Sequence, residues 1–429
     1  MITRRDVLRG LGLSALAVGA VGLLDGCGDD AGPDGPPGAA DLTLASSGIE
    51  RAVPDPGAVA AGVASMHALG SGLWGQLSGT SANLAISPFS VAVALGMTAN
   101  GANGQTQQEM LDVLAVESAE VANAGYNAAA QHVESLAGRV GEKEEIVLDA
   151  ANSLFGQRGV AWERPFLDAL AASYGAGVQQ VDYEVDTEAA RQAINGWTGE
   201  QTRDKIPELI PEGVLDVLTR LVLVNALYLK APWAQPFEED ATQDGDFHLA
   251  DGSTKTVPMM RASDPVGGSV GDTWRAARIP YAGGSLAMTV VLADDLDAFV
   301  SGAGLVDLLT AEATYPTFVT MPRWTFRSPS PLKEPLVTLG MATAFDEKVA
   351  DFGGMTHEED LHVAAVLHEV FIAVDEKGTE AAAATAVVMS AESAMPSGVP
   401  LVLDRPFLFV IHDVEHGTPL FVGRVGDPS

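Results

Sequence analysis

Few residues in this chain stand at spacings that could do enzymatic chemistry. Gly267-Gly268-Ser269-Val270-Gly271 matches the G-x-S-x-G pattern that exposes a nucleophilic serine between a strand and a helix. Here Arg261-Ala262-Ser263-Asp264-Pro265 precedes it and Asp272 follows. Neither flank is an apolar run, so a Gly/Ser loop is predicted, and a hydrolase centred on Ser269 is the weakest of the functional readings. His357-Glu358-Glu359-Asp360 with His362 holds metal-ligating residue types. A solvated acidic loop accounts for them equally well, and no H-E-x-x-H accompanies them. The chain has no P-loop and no G-x-G-x-x-G. No catalytic residue, metal site or cofactor is predicted.

The stretch 371–396, FIAVDEKGTEAAAATAVVMSAESAMP, offers a different chemistry, that of a segment able to be cut and to move. It begins as a strand at Phe371–Val374. The alanine run that follows favours a helix by propensity. At strand spacing, however, Thr379, Ala381, Ala383, Thr385, Val387 and Met389 fall on one face, all small or apolar. Such a segment could slide into a sheet without burying a charge on its inner face. A sequence compatible with two states is a candidate switching element.

The whole chain must position that segment. It has 429 residues, 24 Lys+Arg against 57 Asp+Glu, and a formal charge of −33. The acidic balance argues against nucleic acid as a partner, because counterion release needs clustered Lys and Arg. The single cysteine, Cys27, leaves no intramolecular disulfide. Apolar residues at helical spacing from Val59 to Leu77 predict a first helix. Ser87-Pro88 is a helix start, with Ser as the cap and Pro in the first turn. Further helices are predicted from Gly104, over 164–174 and over 186–202, and a strand over 146–155. Residues 221–229, LVLVNALYL, are the strongest strand. Leu221, Leu223, Leu227 and Leu229 share one face with Asn225; Val222, Val224, Ala226 and Tyr228 share the other. A strand apolar on both faces belongs inside a covered sheet, where Asn225 must find partners. Residues 406–412 and 419–425 read as a terminal hairpin. Helices crowd the first third and strands the rest, which indicates an α+β class in one large domain over 58–429.

On these motifs the chain resembles the serpin family. Asn83-Leu84-Ala85-Ile86-Ser87-Pro88-Phe89-Ser90 is similar to the family's shutter segment. Leu223–Lys230 with Trp233 and Pro236-Phe237 is similar to the central strand and the breach tryptophan. Val257-Pro258-Met259-Met260, Arg405-Pro406-Phe407-Leu408-Phe409 and Pro419–Val425 also match. Glu376, Gly378, Thr379, Glu380, Ala381, Ala382 and Ala383 look like the hinge of an inhibitory member. Asp204 stands where the family usually has glycine, which implies a change confined to one turn.

The resemblance implies helices around a large central mixed sheet, smaller sheets and an exposed reactive-centre loop. It implies a suicide inhibitor of serine endopeptidases, with cysteine endopeptidases as a second class, and not an enzyme. The partner would be the protease, held as a covalent acyl complex by a monomeric inhibitor. The cut loop inserts as a new strand and carries the protease with it. Gly378 to Glu392 spans 15 residues, roughly 50 Å at about 3.3 Å per residue. By the same resemblance Asn83, Ser87, Ser90, Asn225 and His368 are shutter residues and Trp233 marks the breach. Family spacing places the cleaved bond at Glu392-Ser393, with Met389-Ser390 and Met395-Pro396 as alternatives. A non-inhibitory serpin, acting as a binding, chaperone or storage protein, is the other reading. The small residues of the hinge count against it.

Residues 1–27 read as an export address. Arg4, Arg5 and Arg9 precede an apolar run, Leu11–Leu24, too short for the ~20 residues of a spanning helix. Thr3-Arg4-Arg5-Asp6-Val7-Leu8-Arg9 resembles a twin-arginine motif. Leu24-Asp25-Gly26-Cys27 resembles a bacterial lipobox with Cys27 as the lipidated residue. Residues 28–57, dominated by Pro, Gly and Asp, are predicted to be a disordered tether. The expected location is outside the cytoplasm, either as a membrane-anchored lipoprotein or as a periplasmic or extracellular protein.

Replacing Thr379 by Arg places a charge on the face that must be buried, where its desolvation slows insertion. Thr379→Arg is expected to turn an inhibitor into a substrate, so that the molecules consumed per protease inactivated rise several-fold. An unchanged stoichiometry would rule out the small-residue face as the reason the hinge inserts.

Overall fold

The computed structural model describes residues 42–141, 144–380 and 398–429. The helices are α1 (Val59–Leu77), α2 (Pro88–Ala99), α3 (Gly104–Val113), α4 (Ala119–Ser135), α5 (Arg164–Tyr174), α6 (Thr187–Gln201), α7 (Leu296–Ser301), α8 (Gly304–Thr310) and α9 (Lys333–Thr338). The first strands are β1 (Thr43–Ala45), β2 (Leu84–Ile86), β3 (Gly138–Arg139), β4 (Glu145–Gln157), β5 (Val178–Val181) and β6 (Leu221–Pro232). Then come β7 (Gln243–His248), β8 (Thr254–Arg261), β9 (Val266–Val270), β10 (Trp274–Pro280), β11 (Leu286–Ala293), β12 (Tyr315–Pro322) and β13 (Trp324–Pro331). The last are β14 (Ala365–Asp375), β15 (Gly378–Thr379), β16 (Val399–Val402), β17 (Phe407–Asp413) and β18 (Pro419–Val425).

The central sheet has the order β1-β5-β4-β6-β15-β14-β13, with β3 beside β4. It is mixed: β4–β5 and β6–β14 are parallel, whereas β4–β6 and β13–β14 are antiparallel. The remaining strands, expected as smaller sheets, join in one ten-stranded network closed by the predicted hairpin β17–β18.

Strand β6 is buried on both faces, as its pattern requires. Leu221, Leu223, Leu227 and Leu229 enter the main core, which includes Val91 and Leu95 of α2. Val222, Val224 and Ala226 enter a second cluster with Ala190, Ala193 and Ile194 of α6. Every residue of α2 is buried, and the Ser87 side chain caps it by accepting from Ser90 N. Full burial of each leucine is worth ~1.5–3 kcal/mol, so the order β4-β6-β14 is held mainly from its two faces.

Two expectations need correction. The tether predicted to reach residue 57 is shorter, because β1 pairs antiparallel with β5 at the sheet edge. Arg51 also donates to Asn127 Oδ1 and Glu134 Oε1 at 2.9 and 2.8 Å. Polar residues too sparse in apolar surface to fold alone are ordered by partners that the domain supplies. Second, Gly267–Val270 lies in a strand, not a loop: β9 pairs with β10 and β12. A Cβ on Gly268 would lie 1.9 Å from Thr317 Oγ1, so glycine here admits a neighbouring strand. Ser269 sits mid-strand opposite Ala276, with no helix after it. The segment 357–362 is the acidic loop expected of it, exposed over 357–360, with Glu358 accepting from Ala161 N and Glu359 paired with Arg220. At Asp204 the backbone is left-handed, φ 61°, a conformation Asp tolerates better than most residues. The turn kept by glycine in the family therefore survives.

Helices α1 and α4 cross at two glycines. A Cβ on Gly62 would lie 2.6 Å from Gly125 O, and one on Gly125 would lie 2.8 Å from Gly62 N. Gly125→Ala gains about 1 kcal/mol of helix propensity but meets backbone atoms and forces two helices apart, a cost at the upper end of the overpacking range, about 2–3 kcal/mol. A net loss of roughly 1–2 kcal/mol is expected in urea unfolding. An unchanged or raised midpoint would mean that the crossing relaxes freely.

Candidate functional site: the seam between two central strands

Strands β6 and β14 touch directly only over part of their length. Residues 365–370 pair in parallel with 222–227. Beyond them the chain turns back at Asp375-Glu376-Lys377, where Asp375 Oδ1 accepts from Lys377 N and Gly378 N at 2.8 and 3.2 Å. Strand β15 then enters between the two strands, antiparallel to both. Thr379 faces Val374 on one side and Ala231 on the other; Gly378 faces Asp375 and Pro232. A Cβ on Gly378 would lie 2.2 Å from Ala231 O. Only glycine allows that approach.

The entry point is held firmly. Thr379 is buried, and its hydroxyl hydrogen-bonds with the Tyr281 hydroxyl at 2.5 Å. Tyr281 stacks on Trp233 with ring centroids 4.5 Å apart. Trp233 donates from Nε1 to Asp375 O at 2.9 Å and from its backbone to Lys377 O at 2.8 Å. Glu376 is buried, and its carboxylate pairs with Arg323 and accepts from Thr242 Oγ1 at 2.6 Å. A buried carboxylate so partnered avoids most of its desolvation cost. At Glu380 the strand ends in a left-handed residue, φ 46°. Its N–H donates to Ala373 O at 2.8 Å, and its carboxylate meets Lys205 Nζ at 2.7 Å. Lys205 also lies over the Phe371 ring. Gly378 and Thr379 of the expected hinge are thus sheet residues already, and a charge at Thr379 would meet the folded sheet before any cut.

Lower in the seam a chain of buried polar groups crosses three strands. Ser87 N–H donates to His368 Nε2 at 3.0 Å. A backbone N–H can only donate, so Nε2 is unprotonated and the proton sits on Nδ1. Nδ1–H then donates to Asn225 Oδ1 at 2.5 Å, and Asn225 Nδ2 donates to Asn152 Oδ1 at 2.9 Å. His368 faces Asn225 across β14–β6, and Asn152 faces Asn225 across β4–β6. The His368–Asn225 bond is therefore the side-chain link across the strands that a new strand would have to separate. Burial lowers the His368 pKa to about 4, against a weaker opposing effect from its hydrogen bond to Asn225.

The residues expected to act together divide into three groups. Ser87, Asn225 and His368 form one chain; Trp233, Glu376, Gly378, Thr379 and Glu380 form the entry point. Asn83 joins neither. Its side chain accepts from Gly426 N and Asp427 N and donates to Asp427 O, tying down the C-terminus. It sits four residues before the seam contact Ser87, on the other side of β2. Ser90 contributes a capped backbone N–H, and its buried hydroxyl has no partner among the described residues. Ala381, Ala382, Ala383, Glu392 and Ser393 lie outside the described residues. Asn152, Tyr281, Arg323 and Lys205 were not anticipated. Asn152 sits in the predicted strand 146–155, but only the register that sets it opposite Asn225 marks it out.

Residues 64–428 match the family model described as Serpin (serine protease inhibitor). The chain is a serpin. Bovine leukocyte elastase inhibitor is 36% identical over 360 residues, covering 81% of this chain and 93% of the relative. An uncharacterized serpin-like protein of Thermococcus kodakarensis is 33% identical over 365 residues, 83% of each chain. Among solved structures, an Arabidopsis serpin in its native stressed conformation matches with a TM-score of 0.74 and 27% identity, covering 86% of this chain and 98% of that one. The thermophilic serpin tengpin in its native state, 24% identical, shares the fold with a TM-score of 0.76 over 88% and 96% of the two chains.

The neutral His368 ring sets a pH dependence for this serpin. Its folded pKa of about 4 lies below the ordinary 6.5. The contribution to stability is whole above pH 6.5 and is lost as the pH falls from 6.5 toward 4, a loss of about 3 kcal/mol. His412, lowered by burial to about 4, acts in the same window. Urea unfolding from pH 7 to 4 is expected to show falling stability, with a shallower slope in His368→Gln. Parallel pH curves for the two proteins would show that His368 does not titrate on unfolding.

Proposed function

We propose that this serpin inhibits serine endopeptidases by offering the loop after Glu380 as a substrate and trapping the enzyme as an acyl ester. The protease serine attacks the carbonyl of Glu392. The ester forms, and the segment starting at Ser393 leaves as the new amine terminus. The freed end then continues β15 down the seam. The observation that carries this reading is the register of β15, seated between β6 and β14 while still joined to an uncut loop.

The same register argues for the endpoint. Continued without slip, pairing that matches Thr379 with Ala231 and Val374 brings Thr385 opposite Asn225 on one side and His368 on the other. A hydroxyl would arrive between the two groups whose mutual bond insertion breaks, and would offer each a partner. Residues 379, 381, 383 and 385 would face the core, and all are Thr or Ala. Glu392 as the cleaved residue suits a protease with a cationic pocket. The relatives named as leukocyte elastase inhibitors make elastase-type enzymes a second class to try. We further propose export through residues 1–27, attachment to a membrane surface by lipid on Cys27, and action as a monomer on one protease at a time. The basic start, the apolar run and the lone cysteine at its end support the export and the anchor.

Incubation with a Glu-specific protease, a subtilisin and an elastase, followed by denaturing electrophoresis and mass spectrometry, tests the mechanism. A complex that survives denaturation and a released peptide beginning at Ser393 are expected. Clean cleavage with full protease activity remaining across the panel would overturn trapping, and a peptide beginning at Ser390 or Pro396 would move the bond. Mass spectrometry of the mature protein should find Cys27 acylated; a free thiol on a protein released to the medium would defeat the anchor.

A further inference from the structure

Four of the eight histidines meet at a corner that the trapping mechanism does not use. His67 is on α1, His132 in the last turn of α4, His412 near the end of β17 and His416 in the turn before β18. Asp413, its side chain fully buried, organises them. Its Oδ1 accepts from His416 N at 2.7 Å and faces His132 Nε2 at 3.2 Å; its Oδ2 accepts from Thr418 N at 2.6 Å. His67 Nε2 bonds Gly417 O at 2.9 Å, and His412 bonds Thr289 Oγ1 and Asp413 O. The turn is therefore fixed against both α1 and α4.

One result of that fixing is a set of metal-ligating groups. The His132 and His416 rings meet edge to face with centroids 4.5 Å apart. The Glu415 carboxylate lies beside them, and one ligand atom from each of the three falls within 4.8 Å of the others. We propose that His132, Glu415 and His416 form a binding site for zinc or a similar first-row dication. The argument has three parts. Two imidazoles and one carboxylate are a donor set that zinc accepts, with a fourth position left for water. Zn–N bonds of about 2.0–2.1 Å put adjacent ligands ~3.3 Å apart, so the side chains must close by roughly 1.5 Å. His416 and Glu415, partly and fully exposed in a turn, can supply that movement by rotation. Finally, one buried carboxylate holds both the His132 ring and the His416 backbone, the kind of outer support that metal-binding histidines use. Hard cations such as calcium are disfavoured, because only one of the three donors is oxygen. Occupancy would cross-link the end of α4 to the β17–β18 turn.

The site does not depend on the inhibitory reading, and its test is separate from protease trapping. Untagged full-length protein is titrated with zinc chloride by calorimetry, and with cobalt as a visible-absorbing stand-in. One zinc per chain, a raised unfolding midpoint and tetrahedral cobalt absorption are expected. His416→Ala and Glu415→Gln change a partly exposed and an exposed turn residue, so both should fold. His416→Ala should abolish the cobalt spectrum, and Glu415→Gln should weaken zinc at least tenfold. Asp413→Asn should weaken it by about 10–100-fold. No saturable zinc binding to the folded chain would overturn the proposal, as would equal affinity in wild type, His416→Ala and Glu415→Gln, or a preference for calcium over zinc.

Discussion

One side-chain hydrogen bond, from His368 Nδ1–H to Asn225 Oδ1, reinforces the backbone pairing of β6 with β14 that joins the two halves of the central sheet. To one side of it lie β1, β5, β4 and β6; to the other lie β14 and β13. Ser87, capping α2 beneath the sheet, feeds the bond from one end, and Asn152 receives it at the other. Both partners are fully buried, so neither can exchange the other for water. A buried amide and imidazole left unpaired cost several times what their bond contributes when made. The sheet can therefore part at this level only if something polar takes their place. That constraint makes the link both a lock and a selector of what may enter.

The entry point above obeys the opposite requirement. There the sheet is already parted, and the groups of the turn that leads into β15 have partners. Trp233 takes the carbonyl oxygens of Asp375 and Lys377, and Arg323 and Thr242 take the Glu376 carboxylate. Gly378 lets the new strand come close to Ala231. The ordered start of β15 and the closed seam below it are thus one arrangement, a strand begun and then stopped. Glu380, turned out of the sheet and paired with Lys205, marks where it stops.

Much of this was legible in the residues. The two-faced pattern of 221–229 placed β6 at the centre of a covered sheet and required a partner for Asn225. Ser87-Pro88 set the start of α2 to the residue. Of the face of small residues after Gly378, only Thr379 lies among the described residues, and it is in β15. What was not legible depends on register. Asn152 becomes a partner of Asn225 only once β4 is aligned against β6, and Asn83, one strand away from the seam segment, belongs to the C-terminus for the same kind of reason. Val266–Val270 misled because glycine signals both loops and strands that admit close neighbours, and only Thr317 on β12 distinguishes them. The segment before Val59 misled because it has no core of its own and borrows an edge.

The short pairing of β6 with β14 also bears on what durability means for this protein. Six residue pairs hold a seam that could accept a whole strand, and each backbone hydrogen bond a full insertion would add is worth about 1 kcal/mol net. A folded form whose seam holds no further strand is then a long-lived state and not the lowest one available to the chain. Its working life is set by the height of a barrier, as in other kinetically stable proteins. Warming it slowly and warming it quickly interrogate different things, because given time an intact chain can fill its own seam and disarm itself with no protease present.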